Sequence, residues 1–211
     1  MATLAANEPL SARTHVSDAY QRFAGICAVL AGVFTLVYSI AFIVLANVTL
    51  SSLALLATGL LGTIVVVALY ERVRLTDASF ALWALVLTLA GALGAALHGG
   101  FDLAGALHPY TLADANAPSA IDPRGLLTFG ATGIGVFVFA WLILRGQNLP
   151  RGLGYLGYVV AVLQIILYLG RLVVLDATSP IIVVPALLAG FIATPIWYAW
   201  LGVSLLRGAR P

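Results

Sequence analysis

The feature that most constrains this chain is a series of six long apolar stretches, separated by short polar or charged segments. They lie at about 22–46, 50–70, 79–107, 125–145, 153–175 and 180–206. An α-helix needs about 20 apolar residues to cross the hydrocarbon core of a bilayer, and every stretch reaches that length. Continuous apolar runs without strict alternation exclude a β-barrel. The sequence therefore predicts an all-α, polytopic membrane bundle of six transmembrane helices.

Composition supports this prediction and excludes other classes of protein. Hydrophobic residues make up 62% of the chain and charged residues only 9%, whereas an ordinary soluble domain carries about 25% charged residues. This balance excludes a disordered chain, a nucleic-acid-binding module and a conventional soluble enzyme. The single cysteine, Cys27, allows no internal disulfide. We predict a polar cytoplasmic tail at 1–19 and one transmembrane domain at 20–211.

The distribution of arginine predicts the orientation of the bundle. All ten basic residues are Arg, and with the N-terminus inside, only Arg124 and Arg171 lie on the outer side. Cytoplasmic segments of membrane proteins carry an excess of basic residues. We therefore predict that both termini face the cytoplasm. The inner arginines are Arg13, Arg22, Arg72, Arg74, Arg145, Arg151, Arg207 and Arg210.

Five polar side chains within the apolar stretches form a candidate cluster. His98 and Asp102 are spaced i, i+4 in the third stretch, and Gln164, Tyr168 and Arg171 are spaced i, i+4, i+7 in the fifth. Each set therefore lies on one face of its helix. Counting helical rise from the inner ends puts His98, Asp102 and Arg171 near the outer edge of the bilayer. Ionisable residues inside a membrane are costly and are functional candidates.

Three interpretations of this cluster remain open at the level of the sequence. Asp102 and Arg171 could form a structural ion pair, with His98 hydrogen-bonded beneath them. Alternatively, Arg171 could bind an anionic headgroup or carboxylate, or the His98–Asp102 pair could transfer protons. We assign no catalytic residue and no metal ligand, because no catalytic motif is found and no further buried His or Glu completes a metal shell. No cofactor is identified, although the bundle could hold a lipid, a quinone or a pigment.

Small residues, prolines and tryptophans suggest how the helices are built. Gly91, Ala95 and Gly99 form a small-residue face in the third stretch, which we interpret as packing within the bundle. Pro185 and Pro195 predict a kink or local unwinding in the sixth stretch. The tryptophans, at 83, 141, 197 and 200, are assigned to an aromatic belt at the membrane interface.

Two short motifs and the short tail resemble a known group of proteins. Arg22 to Gly25 (Arg-Phe-Ala-Gly) enters the first stretch, and Leu69 to Arg72 (Leu-Tyr-Glu-Arg) leaves the second. Over the first half of the chain, this pattern resembles an uncharacterised family of small bacterial six-helix integral membrane proteins. The resemblance implies the same topology and a location in the bacterial inner membrane. It brings no activity and no site residues with it.

These observations lead to two hypotheses about function. The first is a non-enzymatic membrane protein, either an accessory subunit of a larger membrane complex or a bundle that binds a lipophilic molecule. Its partners would be membrane lipids and other membrane subunits, with no nucleic acid. The alternative is a small transporter or membrane-embedded enzyme that uses His98, Asp102 and Arg171.

Overall fold

The computed structural model describes residues 17–108, 124–174 and 176–208, and these segments are almost entirely helical. The helices are α1 (Asp18–Val44), α2 (Val48–Val73), α3 (Ala78–Leu107), α4 (Leu126–Arg145), α5 (Arg151–Val174) and α6 (Pro180–Gly208). All six are long and apolar enough to cross a membrane. The predicted all-α architecture of six such helices is confirmed, and the helix ends differ from the predicted bounds by four residues or fewer.

The first helix begins earlier than predicted, because polar residues at its start are hydrogen-bonded. Ser17 caps α1, and its hydroxyl accepts a hydrogen bond from the backbone N–H of Tyr20 at 3.2 Å. Gln21 is buried and accepts a hydrogen bond from Nε of Arg72 at 3.2 Å. The last two residues of the predicted tail therefore belong to α1. The rest of that tail, up to residue 16, lies outside the described residues.

The six helices form a closed ring. Each helix packs against its neighbours in the chain, and α6 returns to pack against α1. Gly25, near the start of α1, lies against Gly202, near the end of α6. The start of α1 and the end of α6 therefore lie at the same end of the bundle. We call this the terminal end, and the opposite one the far end.

Packing is solid in the half of the bundle nearest the terminal end, where large apolar side chains are completely buried. Outside the ring, by contrast, large apolar side chains are exposed. Val173 is 77% exposed and Leu97 is 69% exposed. Such a broad exposed apolar surface fits contact with lipid rather than with water. The largest completely buried side chains are Phe139, Leu69, Leu142, Ile143, Leu153, Leu201 and Leu205.

Glycines let α3 approach both of its neighbours closely. A Cβ atom at Gly99 would lie 2.6 Å from the carbonyl oxygen of Ser52 on α2, whereas one at Gly91 would collide with the hydroxyl of Thr132 on α4. The small-residue face predicted on α3 is thus used inside the bundle, as interpreted. Its two ends, however, contact different helices.

Three helices contain a π-helical turn in the far half of the bundle. These turns lie at Ile40–Val44 in α1, Leu126–Ala131 in α4 and Ala189–Ala193 in α6. Turns of this kind are wider than an α-helical turn and occur frequently at functional sites. All three contribute residues to the cavity described below.

The π-helical turn in α6 has a local cause in the sequence. It lies between Pro185 and Pro195, where the sequence predicted a kink or local unwinding. Because Pro195 has no N–H, it cannot donate the α-helical hydrogen bond to the carbonyl four residues earlier. The helix widens at that point instead of breaking, and it continues to Gly208.

Candidate functional site

The far half of the ring surrounds a cavity of about 720 Å³, and all six helices line it. Its inner end is formed by Leu69, Phe139 and Trp197, which also belong to the packed core. Most of the lining side chains are apolar, with a small number of polar groups between them. Sites for small molecules and cofactors usually measure about 300–1,000 Å³ and have this mixture of groups.

All five residues of the predicted cluster line this cavity: His98 and Asp102 from α3, and Gln164, Tyr168 and Arg171 from α5. These two helices are separated in the ring by α4, so the cavity is what brings their polar faces together. Gln164 precedes Arg171 by seven residues on α5, which places it about 10 Å closer to the terminal end. The cluster therefore has a deep member and members near the far end.

A chain of polar contacts lies at the far end of the cavity. Asp102 Oδ1 is 3.0 Å from Nη1 of Arg124, and Asp102 Oδ2 is 3.4 Å from Nε2 of His98. The other ring nitrogen of His98, Nδ1, is 3.4 Å from Oγ1 of Thr128. A neutral imidazole satisfies both contacts by donating from Nε2 and accepting at Nδ1. We call His98, Asp102 and Arg124 the mouth cluster.

Arg124, which the sequence did not include in the cluster, forms an ion pair with Asp102 in the structure. The sequence placed Arg124 on the outer side, in the loop between the third and fourth apolar stretches, whereas the structure places it in the helical turn that leads into α4. Its guanidinium is also 5.1 Å from the centre of the Phe101 ring, within the range of a cation–π contact. Residues 109–123 of the predicted loop lie outside the described residues.

A second acidic residue lies near Arg171, in the short connection between α5 and α6. The side-chain hydroxyl and the backbone N–H of Thr178 donate hydrogen bonds to Asp176 at 2.8 Å and 2.9 Å. These hydrogen bonds, with a further contribution from the positive charge of Arg171, hold the pKa of Asp176 below its usual range. The Asp176 carboxylate is therefore ionised at neutral pH, and negative charge lies on this side of the far end.

Deeper in the bundle, three buried polar atoms have no hydrogen-bond partner within the part of the chain that the structure describes. They are Oε1 of Gln164, Oγ1 of Thr194 and Nε1 of Trp197, and all three residues line the cavity. Thr194 is 7% exposed and Trp197 is 3% exposed. A buried polar group without a partner costs about 1–3 kcal/mol. Neighbouring atoms cover all three almost completely, so they are not open to the cavity.

Sequence reasoning missed Thr194 and Trp197 and assigned Trp197 to the interfacial belt. The structure corrects that assignment, because Trp197 is part of the buried core. One signal in the sequence could have found them. Thr194 and Trp197 are spaced i, i+3 on either side of Pro195, and this spacing places both on one face of α6.

No family model, no curated protein and no solved structure matches this chain. Among the described residues, no three His, Cys, Asp or Glu side chains come together to hold a metal ion. The fold and the cavity therefore define the class of protein. It is a multi-pass membrane protein, and its described residues form six membrane-spanning helices whose far half surrounds a mostly apolar cavity with a few polar groups.

Proposed function

We propose that this protein binds a lipophilic molecule in its cavity and that this binding, rather than catalysis, is its function. The observation that carries the proposal is the cavity of about 720 Å³, which all six helices line and whose lining is mostly apolar with a small number of polar groups. A bound molecule with an apolar body and a polar group would satisfy both parts of the lining.

We further propose that the protein lies in the bacterial inner membrane with both termini in the cytoplasm. Basic residues concentrate at the terminal end of the helices, where the positive-inside rule expects cytoplasmic segments. The far end carries Arg124 and Arg171 close to acidic side chains. The described arginines at or near the terminal end are Arg22, Arg72, Arg74, Arg145, Arg151 and Arg207.

Native mass spectrometry with an absorption spectrum tests the binding proposal directly. The protein would be extracted in mild detergent from a bacterial host, and we expect a stoichiometric lipophilic molecule to remain bound. Thr35→Phe and Thr58→Phe fill the cavity from two walls and should lose that molecule. Thr63→Phe on α2, which does not line the cavity, is the matched control and should retain it.

Other outcomes of the same experiment would favour different functions. If the purified protein carried no bound molecule, the binding proposal would be contradicted. Co-migration with other membrane proteins, again without a bound molecule, would support an accessory subunit of a larger complex.

The mouth cluster favours one second candidate, a small transporter or membrane-embedded enzyme. Ionisable groups at the end of an intramembrane cavity occur along substrate and proton pathways. If His98 and Asp102 act in this way, His98→Ala and Asp102→Asn should abolish movement or turnover of the bound molecule in proteoliposomes. Unchanged activity with altered stability would assign the mouth cluster a structural role.

A further inference from the structure

We propose that the cavity opens sideways into the bilayer between the far halves of α1 and α6, and that an alkyl chain of a membrane lipid enters and occupies it through this opening. The proposal rests on the proposed function and adds to it the route of entry and the chemical class of the bound molecule. We call the opening the lateral portal and define it by four side chains: Phe42, Ile43, Val183 and Leu187.

Close contact between α1 and α6 extends from the terminal end only as far as Ser39 and Gly190. A Cβ atom at Gly32 would lie 2.9 Å from the carbonyl oxygen of Pro195. A Cβ atom at Gly190 would collide with the Ser39 hydroxyl. Nearer the far end, the segment Pro180–Leu188 of α6 packs mainly against α5 rather than α1. The two helices therefore separate in the far half of the bundle.

The register of these contacts locates the gap. Since Ser39 lies opposite Gly190 and the two helices are antiparallel, continuing the register would place Phe42 opposite Leu187. Five residues of α1, Ile40–Val44, lie beyond Ser39, and they correspond to a rise of about 7 Å along the helix. Non-bonded carbon atoms approach to about 3.5–4 Å, so the lateral portal is tall enough for one alkyl chain.

Exposure within the lining is concentrated on this side of the cavity. Phe42 is 58% exposed and Leu187 is 39% exposed, although both line the cavity. The described lining residues from α2 to α5 are all buried or half-buried, and the other exposed ones are Ile43, Val183 and Ala177, which precedes α6. The side wall is therefore closed by α2 to α5 and open between α1 and α6.

The chemistry of the lining favours a hydrocarbon chain. All four side chains of the lateral portal are apolar. Further in, the hydroxyls of Thr35, Thr58 and Thr88 donate to carbonyl oxygens of their own helices, at 2.7 to 2.9 Å. These hydroxyls are satisfied without a ligand. An alkyl chain leaves no polar group unpaired here, and its polar head would stay at the far end, where the charged lining residues lie.

Apolar side chains also surround the lateral portal on the outside of the bundle. Val44, Val184 and Leu188 are exposed and do not line the cavity. A surface of this kind contacts lipid rather than water. A molecule that reaches the lateral portal therefore comes from the hydrocarbon region of the bilayer, where the acyl chains of lipids are the surrounding medium.

Photo-crosslinking of the full chain in lipid vesicles tests this proposal. The vesicles would consist of dioleoylphosphatidylcholine with a small fraction of a phosphatidylcholine that carries a diazirine in the middle of one acyl chain. After illumination, peptide mass spectrometry would identify the labelled residues. We expect label on Leu55 and Leu167, which line the cavity and are only 7% and 8% exposed. Leu97 and Val173, on the outer surface, should be labelled as well.

Matched variants at the lateral portal separate entry through it from other routes. Leu187→Trp should block the opening and lose the label inside the cavity, while the outer surface stays labelled. Leu188→Trp adds the same side chain one residue further on, outside the lining, and should keep both. Phe42→Ala widens the opening and should increase the label inside the cavity. Val44→Ala, also outside the lining, should leave that label unchanged.

The outcomes distinguish this proposal from the proposed function. Label on the outer surface without label on Leu55 or Leu167 would overturn the lateral portal. Undiminished cavity label in Leu187→Trp, or no increase in Phe42→Ala, would also overturn it and move the entrance to the mouth cluster. In each of these cases, a lipophilic molecule that copurifies in native mass spectrometry would leave the proposed function intact. If no molecule copurified and no cavity residue was labelled, both proposals would fail.

Discussion

Asp102 connects two helices at the far end of the cavity, since it contacts His98 on its own helix and Arg124 at the start of α4. The side chains of Asp102 and Arg124 are 35% and 29% exposed. Water therefore screens the pair, and it contributes about as much as other solvent-exposed ion pairs, 0.2–1 kcal/mol. This modest energy suits a contact that orients side chains at the entrance of a cavity rather than one that holds the fold together.

A double-mutant cycle on Asp102→Asn and Arg124→Gln tests this pairing. Each single variant should lower the free energy of unfolding by about 0.2–1 kcal/mol, and the double variant should cost less than the sum of the two. Chemical denaturation in mixed micelles provides the measurement. The matched cycle of Asp102→Asn with Arg171→Gln should show a smaller coupling energy. A larger coupling energy in the Arg171 cycle would show that Asp102 interacts mainly with Arg171.

The helices of the ring are held together by close backbone contacts at small residues, because lipid provides no hydrophobic force between them. Gly99 and Gly100 are neighbours in α3 and show the contrast clearly. A Cβ atom at Gly99 would press on the backbone of α2, while one at Gly100 would meet nothing within 4 Å. One glycine is required by packing, and the other is not.

Gly99→Ala should destabilise the protein by about 1–3 kcal/mol, because α2 and α3 must move apart to admit the methyl group. Gly100→Ala should be neutral or stabilising by about 0.5–1 kcal/mol, since alanine is a better helix former than glycine. The unfolding temperature in detergent would be measured for both variants. Equal destabilisation by the two substitutions would contradict this account of the packing.

Two of the widened turns also depend on each other. Gly190, in the π-helical turn of α6, faces Ser39, which immediately precedes the π-helical turn of α1, and both residues line the cavity. A Cβ atom at Gly190 would collide with the Ser39 hydroxyl oxygen. The widened turn of α6 thus approaches α1 only because it carries a glycine at this position.

Gly190→Ala should cost about 1–3 kcal/mol of stability, and adding Ser39→Ala should recover part of that loss by removing the obstructing oxygen. The free energies of unfolding of the single and double variants would be compared. Strictly additive effects would show that the two turns are not in contact as described.

The molecule as a whole has two different halves, a packed core at the terminal end and a cavity at the far end. Closing six helices into a ring leaves more space than their side chains fill in the far half. In the terminal half, that space is occupied by side chains such as Phe139 and Leu201. The proposed orientation would open the cavity towards the outer face of the membrane.

Cysteine accessibility tests this orientation. In a Cys27→Ala background, Gln147→Cys lies in the connection between α4 and α5, and Ala177→Cys lies in the connection between α5 and α6. A membrane-impermeant maleimide added to intact cells should label the second variant and not the first. The opposite pattern would invert the proposed topology. Native Cys27 is buried, so its thiol is shielded from the maleimide even before it is replaced.

Some of these features follow from local sequence alone. The six helices could be predicted to within four residues, because the length of an apolar run sets the length of a membrane-spanning helix. The shared faces of His98 with Asp102, and of Gln164 with Arg171, could also be predicted, since helical periodicity depends only on spacing. The unwinding of α6 follows from the missing N–H of Pro195.

Other features depend on how separate helices are arranged, and only the tertiary structure decided them. The pairing of Asp102 with Arg124 joins residues on either side of a long connection, whose course no local pattern specifies. The burial of Trp197 and the cavity beside it depend on all six helices closing into a ring. Spacing along one helix identifies a face, whereas the partner of that face is set by packing between helices that are distant in the chain.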